Sequence, residues 1–231
     1  MLRRRAVETV MELAAGQWGI VTTSQAEQQG VPRLRVSRMV GSGLLERIGH
    51  GVYVVPTSAG DQWTELRAAW ISLDPRRTAE QRVAESRTSV VVSHESAARL
   101  HRIGTLRGSS FEFTATKRRQ TRRDDVRIHV GSLTDDEVTL VEGLPTTTAT
   151  CTIADLLRNR YDLGHVAEVA ADALRQGLTT ASDLELHLGP LARRYSAADG
   201  SQLAEKLLDA DSAKLDGSIS PADHNPTDEP T

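Results

Sequence analysis

Residues 19–56 read GIVTTSQAEQQGVPRLRVSRMVGSGLLERIGHGVYVVP, and few folds accept that order of signals. Thr22 is placed to cap a helix, with Gln25 three residues on as its reciprocal partner in a capping box. This helix is expected to run to the neighbourhood of Gln29. Gly30 supplies the turn, because reversal there is easiest without a Cβ. Pro32 stands where a first helical residue belongs, since its missing N–H is not needed there. Val36, Met39 and Val40 then fall at i, i+3, i+4 and form one buried stripe. Gly41 and Gly43 end the second helix. Leu44 to Ile48 and Val52 to Val55 read as strands, joined through Gly49, His50 and Gly51. Helix, turn, helix and hairpin in this order specify a winged helix-turn-helix.

The arc of the second helix opposite its buried stripe carries Arg33, Leu34, Arg35, Ser37 and Arg38. In a recognition helix the N-terminal turns meet base edges in the major groove. Arginine there can fork onto guanine, and an apolar side chain such as Leu34 can touch a thymine methyl. Arg47 and His50 sit near the tip of the wing. The plainer alternatives are a solvated arginine face, or a winged helix used for protein contacts.

Charge is distributed in a way that fits a polyanion at one end. Residues 1–131 hold 21 Lys and Arg against 13 Asp and Glu, a balance of +8, and residues 132–231 hold 7 against 18, a balance of −11. A basic front and an acidic back suit a molecule that turns one end to nucleic acid. The single cysteine, Cys151, forbids an intrachain disulfide and lies in an apolar helical pattern, as a small buried hydrophobe does. The opening Met-Leu-Arg-Arg-Arg is not followed by an apolar stretch of useful length, since Glu8 and Glu12 interrupt it, so no signal peptide is expected. No run approaches the ~20 apolar residues of a membrane helix. A cytoplasmic protein without membrane contact is the expectation.

At 231 residues and 39% hydrophobic content, the chain suits one or two domains. Residues 1–58 are assigned to the winged helix-turn-helix, 61–210 to a second domain, and 211–231 to a disordered acidic tail lacking the apolar surface to offset ordering entropy. The segment 56–60 reads as a hinge. Asp61 can cap a helix carrying Trp63, Leu66 and Trp70. Val90 to Val92 suggests a short strand, and Ser93 a cap for a helix from His94. Phe111 to Ala115, Val126 to Val130, Thr139 to Val141 and Leu144 to Thr147 alternate as strands. Helices follow near 150–158, 165–176, 180–188 and 203–208. The predicted class is α+β: an N-terminal winged helix-turn-helix, then a mixed domain with a small sheet and a C-terminal helical section.

The segment GIVTTSQAEQQGV…RMVGSGLLERIGHGVYVVP resembles the N-terminal winged helix of the AbiEi-family antitoxins of type IV toxin–antitoxin and abortive-infection loci. The later phrases VVVSHESAARLHRIG, FEFTATKRR…RIHV and VEGLPTTTATCTIADLL are similar to the domain that follows it, so the likeness spans roughly residues 5 to 190. The resemblance implies an antitoxin that binds promoter DNA, represses its own operon, and uses its C-terminal domain to counter a nucleotidyltransferase-like toxin. In the type IV scheme the toxin need not be touched directly. The family pattern places Arg33, Arg35, Ser37 and Arg38 at exposed recognition-helix positions. It places Thr22, Thr23 and Ser24 at a helix start where a phosphate could sit on unsatisfied N–H groups. Many relatives carry a nuclease-like domain beyond this helical section; the sequence here lacks it, so no nuclease function is carried over.

Other motifs admit a chemical reading. Lys117, Arg118, Arg119, Arg122 and Arg123 form the densest basic run. It reads either as a second phosphate-contacting patch, which would set affinity and salt dependence, or as an exposed hairpin tip. The Arg3-Arg4-Arg5 arm admits the same two readings. His94 and His101 lie in HESAARLH, which is not the HExxH zinc pattern because Ala98 holds the second ligand position. Arg160 and His165 match the R-x4-H spacing of some RNases, but at a helix junction that gives them no fixed frame. No Ser/His/Asp triad is spaced for hydrolysis. No enzyme activity, cofactor or metal is expected. The leading expectation is an autorepressing antitoxin, with a dimer or paired monomers on half-sites about one helical turn apart. The alternatives are a protein-interaction module that binds the toxin directly without sequence-specific DNA binding, and a small RNase.

Overall fold

The computed structural model describes residues 2–85 and 90–217. The chain divides into two compact units: Met1–Arg102 with Leu106–Thr148, and Ile103–Thr105 with the chain from Ala149 onward. Residues 61–102 and 106–148, assigned from the sequence to a separate second domain, therefore fold with the winged helix.

The first unit opens with α1 (Leu2–Ala15), β1 (Ile20–Thr22), α2 (Thr23–Gln28), α3 (Arg33–Gly41), β2 (Glu46–Gly49) and β3 (Val52–Val54). Arg3 to Arg5 lie inside α1 rather than in a free arm. The capping box forms as its spacing dictates: Gln25 N donates to Thr22 Oγ1 and Thr22 N to Gln25 Oε1, both at 3.0 Å. Pro32, with ψ 148°, is the cap residue of α3 and not its first helical residue. The strands make an antiparallel sheet in the order β1-β3-β2. β1, too short to be seen in the hydrophobic pattern, supplies the third strand.

This small sheet is covered on both faces, as its two-residue period requires. Val21 and Tyr53 point into a core with Val10, Ala14, Ala26, Val36 and Met39 from α1, α2 and α3, and with Val31 from the turn between α2 and α3. Their neighbours Ile20, Val52 and Val54 point the other way, into a core with Trp63, Leu66, Trp70 and Phe113. That second core is organised by α4 (Thr64–Ser72), whose residues are buried except for Glu65 and the last position. Buried Arg67 is compensated by Asp61 at 3.0 Å and Glu142 at 3.8 Å, and lies over the Trp18 ring at 5.0 Å. Without those partners a buried guanidinium would be strongly destabilising.

Beyond α5 (Ala79–Val83) come β4 (Val91–Val92), α6 (His94–His101), β5 (Phe111–Ala115), β6 (Val126–Val130), β7 (Val138–Val141) and β8 (Leu144–Thr147). The five strands are ordered β6-β5-β4-β8-β7. β5 and β6 run parallel, in register from Phe111↔Val126 to Ala115↔Val130. The segment 116–125 between them is therefore a crossover, which corrects the hairpin tip considered from sequence.

The second unit is helical: α7 (Ala149–Arg158), α8 (Leu163–Arg175), α9 (Ala181–Leu188), a 3-10 segment Gly189–Tyr195, and α10 (Gly200–Gly217). Asp162 caps α8 and Thr180 caps α9. Gly177, at φ +67°, follows the α8 terminus where the sequence placed a stop. Cys151 is buried on α7. α10 continues to Gly217, so residues 211–217 are helical and not part of a disordered tail; the rest of that expected tail lies outside the described residues.

Candidate nucleic-acid interface

On α3, Val36 and Met39 are buried and Val40 is half-buried, which fixes the opposite arc outward. At ~100° per residue this arc holds Arg33, Ser37, Leu34 and Arg38. All four are exposed, and Leu34 is 63% exposed. Arg35 falls at the margin of the arc: it is half-buried and lines a small pocket with Ala6, Val7, Met39 and Leu44. An exposed Leu among three arginines is not unusual in itself, since Val130, Leu140 and Leu186 are also exposed. What α3 offers is cations and one apolar side chain together on its outward arc.

The wing stands beside it. Arg47 and His50 are exposed, and Arg47 Nε donates to the Gly49 carbonyl at 3.1 Å. A register shift between Arg47 and Gly49 marks a bulge, which twists a strand locally.

The start of α2 differs from the sequence expectation. Thr22 is fully buried, and its hydroxyl donates to the Pro75 carbonyl at 2.5 Å. The Thr23 N–H is bonded to the Gly51 carbonyl, and the Gln25 N–H to Thr22. Thr23 and Ser24 are half-buried. The N–H groups proposed to hold a phosphate are thus largely satisfied within the protein, and Thr22 is removed from the contact surface. Gln25 extends the network: its Nε2 donates to the Arg77 carbonyl at 2.8 Å, and Gln17 joins it to the Ala79 N–H. These bonds lay the loop 75–79 along α2, a pairing across more than fifty residues that no local pattern announces. Arg76 is exposed on that loop.

The basic crossover divides by alternation. Lys117, Arg118 and Arg122 are exposed, whereas Arg119 and Arg123 turn inward. Arg119 Nη1 donates to the Leu73 carbonyl at the C-terminus of α4. Arg123 makes two bonds to Asp125, at 2.9 and 2.7 Å, and lies 3.6 Å from Glu65 in the first turn of α4. The strap therefore runs antiparallel to α4, with a cation at the negative end of its dipole. Asp125 raises the Arg123 pKa further, and Arg123 in turn holds the Asp125 carboxyl below its usual range. Arg119 and Arg123 are structural clamps, a correction to their assignment as phosphate contacts. The Arg123 side chain also approaches Gly49 of the wing.

The remaining motifs are separated. His94, at φ +53°, is buried and stacks on His129 with ring centroids 3.7 Å apart, while His101 binds the Thr147 carbonyl at 2.7 Å. Arg160 and His165 are exposed on either side of the junction between α7 and α8, and His165 lies 3.4 Å from Asp162. Among the described residues, no three His, Cys, Asp or Glu side chains converge as metal ligands. No described helix is long and apolar enough to cross a membrane.

Fold and surface together define a winged-helix protein whose recognition helix displays arginines and a leucine. Residues 8–56 match the family model described as "Transcriptional regulator, AbiEi antitoxin", the family the sequence resembles, and the match supports a transcription-regulator role of the antitoxin kind. Among solved structures, the crystal structure of RV2827C protein from Mycobacterium tuberculosis is similar, with a TM-score of 0.51 and 15% identity over 87% of this chain and 75% of that one. At that identity the likeness is one of fold. Comparison with curated protein sequences gave no match.

Proposed function

We propose that this protein is an autorepressing antitoxin of the type IV kind. Residues 1–58 bind promoter DNA through α3 and the wing. The remainder, through residue 210, counters a nucleotidyltransferase-like toxin, with or without touching it. The outward arc of α3 carries the proposal: Arg33 and Arg38 flank an exposed Leu34 on a helix whose other side is held in a core. Arg47 and His50 add contacts from the wing, and Lys117, Arg118 and Arg122 add phosphate contacts from the strap. A chain acting as a dimer would place two α3 helices on half-sites about one helical turn apart.

The test is a mobility-shift titration with DNA upstream of its own reading frame, against a scrambled duplex. Arg38→Ala is expected to lose about 1–3 kcal/mol of discrimination between the two. Leu34→Ala should relax the preference at A·T positions. Unchanged discrimination in both variants would show that α3 does not read the sequence.

A further inference from the structure

The occupied N-terminus of α2 leaves the DNA reading without the backbone contact expected from that helix, and the fold supplies another cation beside it. We propose that Arg76, on the loop between α4 and α5, is a phosphodiester contact of the duplex that α3 reads. This inference rests on the DNA-binding reading above and adds a contact from outside the winged-helix segment.

Three observations place Arg76 there. Its neighbour Pro75 accepts the Thr22 hydroxyl at the head of α2, and its other neighbour Arg77 accepts from Gln25 one turn along, so the loop follows α2. An open, shallow cleft lies between them, lined by Gln28 of α2, Arg76, Arg77, Gln81, Ala84 and Glu85. Within it Arg77 is held by Glu85 at 2.7 Å and by the Gln81 carbonyl. Arg76 is exposed and has no hydrogen bond or ion pair among the described residues. The cleft thus offers one uncommitted guanidinium, with the Gln28 amide as a second donor.

The ligand class follows from position. α2 is six residues long, or ~9 Å, and packs directly on α3. In helix-turn-helix docking the first helix crosses the backbone while the second enters the groove. A long cationic side chain anchored along α2 therefore reaches the sugar–phosphate chain bordering that groove, where it positions the protein without reading bases. The two bonds that fix the loop are buried or half-buried, so the cation travels with the reading head.

The experiment uses the full chain and a labelled random-sequence duplex about three helical turns long. Affinity is followed by anisotropy across a salt series. Arg76→Ala is expected to reduce the log–log salt slope by ~0.9, the value for one phosphate contact, with an unchanged melting temperature because the side chain is exposed. Arg76→Lys should retain the slope, since a point charge suffices for a phosphate. If wild type binds and Arg76→Ala keeps its slope, or if Lys fails as badly as Ala, the Arg76 contact is overturned while the DNA reading stands. If wild type binds no duplex at any salt, both are lost.

Discussion

Gln25 shows how much one side chain can fix. Its carboxamide oxygen accepts from Thr22 N and from Gln17 Nε2, and its amide nitrogen donates to the Arg77 carbonyl. The first of these bonds was legible in the T-x-x-Q spacing. The others were not, because their partners lie in another part of the chain or on another element. Gln25→Ala is expected to cost about 1–3 kcal/mol, the range for stranding buried polar partners, as read from urea denaturation midpoints. His101 makes a second residue-scale prediction. Its Nε2 donates to Thr147, and burial lowers its pKa from 6.5. The unfolded chain takes up this proton near 6.5 while the folded chain resists until lower pH. The His101 contribution is therefore complete above 6.5 and is lost as pH falls through the window below it. His101→Gln should flatten that part of the stability–pH curve, measured as midpoints at pH 7.5 and about 5.5 relative to wild type.

At the scale of elements, periodic patterns were readable where packing agreed with them. The α3 stripe, the two wing strands and the start of α9 at Thr180 form where the pattern put them, whereas α8 begins at Leu163 behind the Asp162 cap, ahead of the His165 start read from sequence. The crossover was not readable, because KRRQTRR carries no signal that its flanking strands run parallel. Only the tertiary pairing of β5 with β6 separates its arginines into clamps and surface cations. Two outcomes distinguish these groups. Arg119→Ala and Arg123→Ala should each lower stability by about 1 kcal/mol, within the range for partly exposed ion pairs and hydrogen bonds, and leave the salt slope of DNA binding intact. Arg118→Ala and Arg122→Ala should leave the melting temperature unchanged and reduce the slope. The reverse assignment would show that the inward side chains release α4 when DNA binds.

For the whole molecule, composition and charge asymmetry foretold a basic front half, but the unit boundary at Thr148 was hidden. The segment 56–60 reads locally as a hinge, whereas the core continues past it through Ile20, Val52 and Val54. Those three side chains, at about 1.5–3 kcal/mol each, are a large share of the 5–15 kcal/mol that holds a typical domain folded. A 1–58 fragment is therefore expected to bind ANS and to melt without cooperativity when followed by circular dichroism. A sharp transition for that fragment would mean that its helices alone stabilise the sheet.

The alternation along β3 has a further consequence for how substitutions combine. Val52 and Val54 belong to the Trp63–Trp70 neighbourhood, while Tyr53 between them belongs to that of Val36 and Met39. Adjacent positions on one strand should then be nearly additive, and positions far apart in sequence strongly epistatic. In double-mutant cycles Val54 would couple to Leu66, and Tyr53 to Val36, by more than the ~0.5 kcal/mol scatter of independent sites. A mutational map of the chain would sort by the side of a strand on which a residue falls, not by its number.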